Sequence, residues 1–233
     1  MKAMILAAGR GERLRPLTDR TPKPLIEVGQ RPLIEHHLIS LAAAGVRDII
    51  VNLAWLGEAI EQRLGDGQGY GVRIRYSREP HGALETAGGI RNALAMIGDA
   101  PFLVVSSDVL TDFSFGALVD LNPPEFGHLV LVDNPPHHPD GDFGLVDGRV
   151  TRSSPRWTYS GIGLFRPQPF VGLPPGRRAL RPLFEAAIDA GQLSAEHYAG
   201  RWLDVGTPER LSAARRLSGE DTSRPGTGAS PDS

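Results

Sequence analysis

The sequence contains no cysteine. This absence excludes disulfide bridges, thiolate ligands for zinc or iron–sulfur clusters, and a thiol nucleophile. No stretch approaches the roughly 20 apolar residues of a membrane-spanning helix, and the apolar run at the N-terminus is too short for the core of a signal peptide. We therefore expect a soluble, cytoplasmic protein with no membrane partner.

An excess of charge of either sign is also missing. Lys and Arg number 25 and Asp and Glu number 27, so the formal net charge is −2. Such a balance gives no general attraction to nucleic acid or to an anionic membrane. A fixed-period repeat is absent as well, and with it the hexapeptide pattern of a parallel β-helix.

The 233 residues, 40% of them hydrophobic, are enough for one α/β domain. We expect this domain to span residues 1–218. Residues 219–233 hold no aliphatic side chain larger than Ala. We expect this tail to be disordered, because it cannot bury enough apolar surface to offset its conformational entropy.

Short apolar runs alternate with longer helical patterns, which is typical of βαβ units. Lys2–Leu6 predicts the first strand, and Phe102–Val105 predicts a central strand buried on both faces. Strands prevail after residue 123, with a hairpin turn at Asp147-Gly148. The pattern predicts a mainly parallel central sheet flanked by helices, with a smaller sheet-rich lobe. Further helices are predicted over 56–64, 85–97, 180–190 and 208–217, and further strands over 47–52, 72–77, 128–133, 158–165 and 201–205.

The loop after the first strand is rich in glycine and in positive charge. It begins Leu-Ala-Ala-Gly-Arg-Gly-Glu-Arg and carries Arg10, Arg13, Arg15 and Lys23. Small residues after a buried strand let amide N–H groups approach phosphate oxygens, and the cations favour an anionic ligand. A loop of about 25 residues inside a compact domain is usually functional. The third glycine of the dinucleotide fingerprint and the Walker pattern are both missing.

Two aspartates follow predicted strands. Asp108 follows the central strand, where a carboxylate is well placed to bind Mg²⁺. The alternative interpretation of Asp108 is a helix cap or turn former after the strand. Asp204 precedes Gly206-Thr207-Pro208, which by itself indicates a turn and a helix cap.

The segments Leu6–Thr18, Thr21–Leu25 and Pro32–Glu35 together resemble the sugar-1-phosphate nucleotidylyltransferase family. Later motifs follow in the family's order over nearly the whole chain. The resemblance implies a Rossmann-like nucleotidyltransferase fold with a sugar-binding lobe. It also implies transfer of a nucleotidyl group from a nucleoside triphosphate to a sugar-1-phosphate, with release of pyrophosphate.

The resemblance further implies site residues. Catalysis would depend on Arg13, Lys23 and Asp108, and Mg²⁺ would be bound by Asp108 and Asp204. Nucleotide-binding roles are implied for Leu6, Ala8, Gly9, Gly11, Arg13, Glu79, Gly82, Thr86 and Gly88, and sugar-binding roles for Asp142, Gly144, Ser160 and Gly161. For Gly88, close packing of its helix is the alternative interpretation.

Ser107 and Ala87 stand where the family usually has glycine. These departures motivate a second hypothesis, a catalytically weak module that senses nucleotides. Arg13, Lys23, Asp108 and Asp204 argue for the enzyme, since a binding module has less need of two metal carboxylates.

In chain length and in the segments 128–135, 141–143 and 196–202 the sequence resembles those members of the family that act in cell-wall recycling, and this resemblance implies UTP and N-acetylmuramate α-1-phosphate as substrates. Guanylyl transfer to mannose-1-phosphate and thymidylyl transfer to glucose-1-phosphate remain alternatives. We expect small-molecule partners only, and a monomer or small homo-oligomer. His137 and His138, beside Asp140 and Asp142, are interpreted as a solvated turn rather than a metal site.

Overall fold

The computed structural model describes residues 1–79 and 82–219. The predicted disordered tail therefore lies outside the described residues, apart from Gly219. The strands are β1 (Lys2–Leu6), β2 (Glu27–Val28), β3 (Arg31–Pro32), β4 (Asp48–Leu53), β5 (Arg73–Arg78), β6 (Phe102–Ser106), β7 (Val109–Thr111), β8 (Gly127–Val132), β9 (Phe143–Val146), β10 (Arg149–Thr151), β11 (Arg156–Phe165), β12 (Leu193–Tyr198) and β13 (Trp202–Asp204). The helices are α1 (Leu33–Ala43), α2 (Gly57–Leu64), α3 (Glu85–Ile97), α4 (Gly116–Val119), α5 (Gln168–Val171), α6 (Arg181–Asp189) and α7 (Pro208–Leu217). None of them, within the described ranges, is long and apolar enough to cross a membrane.

One nine-stranded sheet dominates the fold, in the order β5-β4-β1-β6-β11-β8-β12-β10-β9. The first four strands in this order, β5, β4, β1 and β6, are parallel to one another, as predicted. The strands of the second half join the same sheet, mostly antiparallel, through the pairing of β11 with β6. The predicted sheet-rich lobe is thus present, and its strands extend the parallel part of the same sheet beyond β6.

Side chains alternate across the sheet and form a core on each face. On β1, Ala3 and Ile5 pack into one apolar cluster, whereas Met4 packs into the cluster on the opposite face. All three side chains are fully buried. Each large apolar side chain buried in this way contributes about 1.5–3 kcal/mol to stability. This packing fixes the positions of the strand ends, where the cavities open.

Local signals set the bounds of several elements. Helices α3 and α7 have the bounds that the sequence predicts. The Oγ1 of Thr207 accepts a hydrogen bond from the backbone N of Arg210 at 3.4 Å and caps α7. Asp147 and Gly148 form the predicted hairpin turn between β9 and β10, both with positive φ.

The long loop after β1 has more structure than its sequence predicts. It forms three short 3₁₀ turns, at Glu12–Leu14, Leu17–Asp19 and Lys23–Leu25, and then the small hairpin of β2 and β3. Leu14 is buried in an apolar cluster that includes Leu211 of α7. The loop is therefore attached to the last helix of the chain, about 200 residues later in sequence.

Candidate active site

A cavity of about 1230 Å³ opens at the carboxyl ends of the four parallel strands. The register aligns Leu6 of β1 with Asn52 of β4 and Ser106 of β6, so the segments that follow these strands meet at one edge. Ligands of open parallel sheets bind at such an edge. The cavity is lined by ten predicted site residues: Leu6, Ala8, Gly9, Gly11, Arg13, Lys23, Glu79, Gly82, Thr86 and Asp108.

Gly88 is the predicted nucleotide-binding residue that does not line this cavity. A Cβ at Gly88 would lie 2.5 Å from the carbonyl oxygen of Gly176 and 3.1 Å from the backbone N of Arg178. The backbone N of Gly88 donates to the Arg178 carbonyl at 3.2 Å. Gly88 thus lets residues 176–178 cross the start of α3, which favours the packing interpretation. Through this crossing Gly176 and Arg177 reach the cavity, which the sequence did not predict.

The two departures from the family pattern lie in different surroundings. Ala87 is fully buried in an apolar cluster, so its methyl group packs in the core and does not face a ligand. Ser107 is 5% exposed and lines the larger cavity, and its backbone N donates to the Leu6 carbonyl at 3.1 Å. Only Ser107 is therefore positioned to affect nucleotide binding.

We expect Ser107→Gly to tighten nucleotide binding by a few-fold, because removal of the Cβ widens the cavity beside Asp108. The added freedom of the unfolded chain costs roughly 0.5–1 kcal/mol of stability. Nucleotide affinity at saturating Mg²⁺ tests this, with Ser107→Ala as the matched control that keeps the Cβ and removes the hydroxyl. Weaker binding in both variants would instead assign the hydroxyl a contact with the ligand.

Positive charge in the loop after β1 is available to an anion. Arg13 is exposed, and it makes no hydrogen bond or ion pair with any residue that the structure describes. Arg10 lies over the ring of Trp55, 4.5 Å from its centroid, and the Trp55 indole N–H donates to the Thr18 carbonyl at 3.0 Å. The cation–π contact holds Arg10 at the cavity wall without neutralising its charge.

Lys23 and Asp108 meet at the centre of the site. The Nζ of Lys23 lies 2.5 Å from Oδ2 of Asp108, in a pair whose side chains are 11% and 33% exposed. Lys23 comes from the third 3₁₀ turn of the loop, and Asp108 follows β6. The pair joins two segments that are 85 residues apart in sequence.

Asp204 lies beside Asp108. Strand β13 pairs antiparallel with β7, which aligns Asp204 with Val109, and the backbone N of Val205 donates to the Asp108 carbonyl at 2.7 Å. The carboxylate of Asp204 contacts Nη1 of Arg210 at 2.9 Å and Nε2 of His137 at 3.2 Å. Its neighbours on the smaller cavity are therefore cationic or polar.

The two aspartates are a suitable donor set for Mg²⁺. No group of three or more His, Asp or Glu side chains within residues 1–79 and 82–219 forms a complete metal cage. Mg²⁺ needs no such cage, because it is usually bound through one or two carboxylates plus substrate phosphates and waters. Asp108 and Asp204 supply two carboxylates from adjacent backbone segments, next to the exposed cation of Arg13 that would bind those phosphates.

A second cavity of about 380 Å³ adjoins the first, and Arg13, Ser106 and Asp108 line both. Ser160 and Gly161, two of the predicted sugar-binding residues, line this smaller cavity.

The other two predicted sugar-binding residues, Asp142 and Gly144, do not line it. The Oδ2 of Asp142 accepts a hydrogen bond from the backbone N of Tyr159 at 2.8 Å. Asp142 thus fixes Tyr159, which lines the smaller cavity. Gly144 pairs with Thr151 in β10 and is packed against the backbone of Ser153. Asp142 therefore supports the wall of the cavity, whereas Thr151 and Ser153, the neighbours of Gly144, do not line it.

A buried polar network of Asn52 and Glu79 lies in the wall of the larger cavity. Glu79 is a site residue predicted from the sequence, whereas Asn52 is not. The amide of Asn52 accepts from the backbone N of Ala7 and donates to Oε1 of Glu79, both at 2.7 Å. The other oxygen of Glu79 accepts from the backbone N of Leu84 at 2.7 Å. Burial raises the pKa of Glu79, against the effect of these hydrogen bonds. The signal for Asn52 was present, since it is a polar residue at the end of the apolar run Ile49–Val51.

Residues 136–140 form turns and the side chains of His137 and His138 are both 41% exposed, which agrees with the interpretation as a solvated turn. The structure adds a long-range contact for His137. The sequence places it in a local, Pro-rich segment, whereas the fold brings its Nε2 to the Asp204 carboxylate and lines the smaller cavity with it. His138 lines the same cavity, with its Nε2 3.3 Å from Asp142. The contact of His138 is local, with a residue four positions further along the chain, whereas that of His137 could not be predicted locally, because Asp204 is 67 residues further along.

Residues 2–153 match the family model described as nucleotidyl transferase. The chain belongs to this family. It is 51% identical to an N-acetylmuramate alpha-1-phosphate uridylyltransferase from Neisseria meningitidis, over 94% of this chain and 99% of that protein. It is 36% identical to a mannose-1-phosphate guanyltransferase from Aspergillus fumigatus, over 90% of this chain and 62% of that protein.

The fold also matches solved structures. One, provisionally named a glucose-1-phosphate thymidylyltransferase, comes from Bacillus anthracis and was solved in complex with sucrose. It aligns with a TM-score of 0.84 and 24% identity, over 96% of this chain and 97% of that one. The predicted fold class and the predicted membership of the sugar-1-phosphate nucleotidylyltransferase family are confirmed. The protein is an enzyme, a nucleotidyltransferase.

Proposed function

We propose that this enzyme transfers the uridylyl group of UTP to N-acetylmuramate α-1-phosphate, giving UDP-N-acetylmuramate and pyrophosphate. The observation that carries the proposal is the pair of adjoining cavities, which share Arg13 and Asp108; Lys23 lines the larger cavity and pairs with Asp108. The choice of substrates is supported by the nearly full-length similarity to the Neisseria uridylyltransferase. The reaction would serve cell-wall recycling in the cytoplasm.

The larger cavity would hold the nucleotide. Leu6, Ala8, Gly9 and Gly11 offer it a wall of main chain and small side chains, and Arg13 would bind the triphosphate. Glu79, Gly82 and Thr86 also line this cavity, and the base would lie against them. The smaller cavity would hold the sugar phosphate against Ser160 and Gly161.

A phosphate oxygen of the sugar substrate would attack the α-phosphorus of UTP, and pyrophosphate would leave. The attacking oxygen is already anionic, so the step requires neither a protein nucleophile nor a general base. The residues of the chain position the two phosphates and offset their charge. Lys23, held by Asp108, would place its ammonium between them.

Mg²⁺ would be held by Asp108 and Asp204, and when bound it supplies charge neutralisation on the phosphates. The other proposed features are one domain over residues 1–218, small-molecule partners without nucleic acid, and a monomer or small homo-oligomer. The guanylyl and thymidylyl alternatives share this architecture and differ in the base and the sugar.

A substrate matrix tests the proposal. UTP, GTP and dTTP are each combined with N-acetylmuramate-, mannose- and glucose-1-phosphate in the presence of Mg²⁺, and pyrophosphate release is measured. We expect the highest kcat/KM with UTP and N-acetylmuramate α-1-phosphate. A preference for GTP with mannose-1-phosphate would select the guanylyl alternative. Binding of UTP without pyrophosphate from any pair would favour the nucleotide-sensing module.

A further inference from the structure

Arg210 has buried N–H groups without a partner. It lies in the first turn of α7, lines the smaller cavity, and has a side chain that is 12% exposed. Its Nη1 contacts Asp204 at 2.9 Å and Nε2 of His137 at 2.5 Å. Its Nε and Nη2 are buried and have no hydrogen-bond partner among the described residues. Unpaired buried donors are rare and destabilising, so each one requires an explanation.

A second guanidinium group lies next to that of Arg210. A Cβ at Gly206 would collide with Nη2 of Arg210 and would lie 2.9 Å from Nη2 of Arg13. The two guanidinium groups therefore approach the same point of the backbone, and Arg13 has no ion pair within the described residues. Two neighbouring like charges repel each other, and an anion between or beside them removes the repulsion.

Asp204, the counter-ion of Arg210, has a second role in the proposed function. The same carboxylate would bind Mg²⁺, and a carboxylate that is shared with a divalent cation neutralises a neighbouring guanidinium less completely. Arg210 would then be a mostly buried cation in need of another anion, and the smaller cavity is the open space beside it.

We propose that Arg210 is a substrate-binding residue that pairs with an oxyanion of the sugar-1-phosphate. The inference rests on the proposed function and adds to it the group that binds the acidic part of the second substrate. Contact with the substrate would require the guanidinium to turn so that Nε or Nη2 faces the cavity. The oxyanion has two sources, the phosphate or the carboxylate of the lactyl group that distinguishes N-acetylmuramate from neutral sugars.

Arg210→Met tests the proposal, because Met keeps most of the buried volume and removes the charge and all donors. We expect the KM for N-acetylmuramate α-1-phosphate to rise about 10- to 100-fold, the range for a lost charged hydrogen bond, with the KM for UTP unchanged. Calorimetric titration of the sugar phosphate without metal should also show a loss of affinity, because Nε and Nη2 of Arg210 have no partner within the described ranges even when Asp204 binds no metal. Arg216→Met, an exposed change on the same helix, is the matched control and should bind like the wild type.

N-acetylglucosamine-1-phosphate, which lacks the lactyl carboxylate, identifies the source of the oxyanion. An equal loss of affinity for both sugar phosphates supports a contact with phosphate, and a loss confined to N-acetylmuramate α-1-phosphate supports a contact with the carboxylate. Should Arg210→Met unfold, as seen by circular dichroism, Arg210→Lys gives the same comparison with one donor nitrogen in place of three.

Three results would overturn the proposal. The first is unchanged affinity for both sugar phosphates. The second is a lower kcat with a higher Mg²⁺ requirement and unchanged affinity, which would make Arg210 a positioning residue for Asp204. The third is a wild-type enzyme that binds neither sugar phosphate, which would overturn the proposed function as well. In the first two cases the wild type remains active, and only the role of Arg210 fails.

Discussion

Asp108→Asn should reduce pyrophosphate release at least about 100-fold while leaving the fold intact, and Asp204→Asn should do the same. Each change removes one negative charge from the carboxylate pair that would hold Mg²⁺, and lost electrostatic stabilisation of a transition state typically costs 10²–10³ in rate. Asn is isosteric with Asp, and its Oδ1 can still accept the hydrogen bond from Lys23 in the first variant. The measurements are the rate over a Mg²⁺ titration and the far-ultraviolet circular dichroism spectrum.

The matched control is Asp120→Asn, which removes an exposed carboxylate that lines neither cavity. Its rate and its Mg²⁺ dependence should equal those of the wild type. A near-normal rate of either active-site variant at limiting Mg²⁺ would exclude that aspartate from the metal site.

Lys23→Ala is the second change with a large expected effect. The Lys23 side chain is 11% exposed, so its attraction for phosphate is screened less than that of a surface lysine. Negative charge on the phosphates is most crowded in the transition state, and we therefore expect kcat to fall more than nucleotide affinity does, by about 100-fold or more. Steady-state kinetics and UTP titration separate the two effects.

Arg20→Ala is the control for Lys23, because it removes an exposed positive charge from the same loop without changing the cavity lining. A Lys23 variant with a normal kcat and only a higher KM for UTP would make Lys23 a binding residue. The loss of Lys23 also leaves Asp108 without its ion-pair partner, so the Mg²⁺ titration should be repeated for this variant.

The elements of the fold could be read from the sequence because their signals are local. The alternation of apolar runs and helical patterns gave the parallel strands, and Thr207 before Pro208 gave the start of α7. A Gly-rich, basic loop after β1 predicted the position of the larger cavity, because strand ends in a parallel sheet share one edge. The resemblance to a known family supplied the roles of Lys23, Asp108 and Asp204, which composition and spacing left open.

The tertiary structure decided what depends on contacts between distant segments. His137 lies in an exposed turn, as its segment predicts, and the fold also brings it to Asp204 and Arg210, which its segment does not predict. Gly88 looked like a residue for close approach to a base, yet residues 176–178 occupy the space beside it. A local pattern reports backbone preference and average burial, whereas the partner of a side chain depends on how strands from both halves of the chain join in one sheet. The sequence therefore determined the elements and the edge of the sheet where the site lies, and only the packing of distant segments determined which side chains meet there.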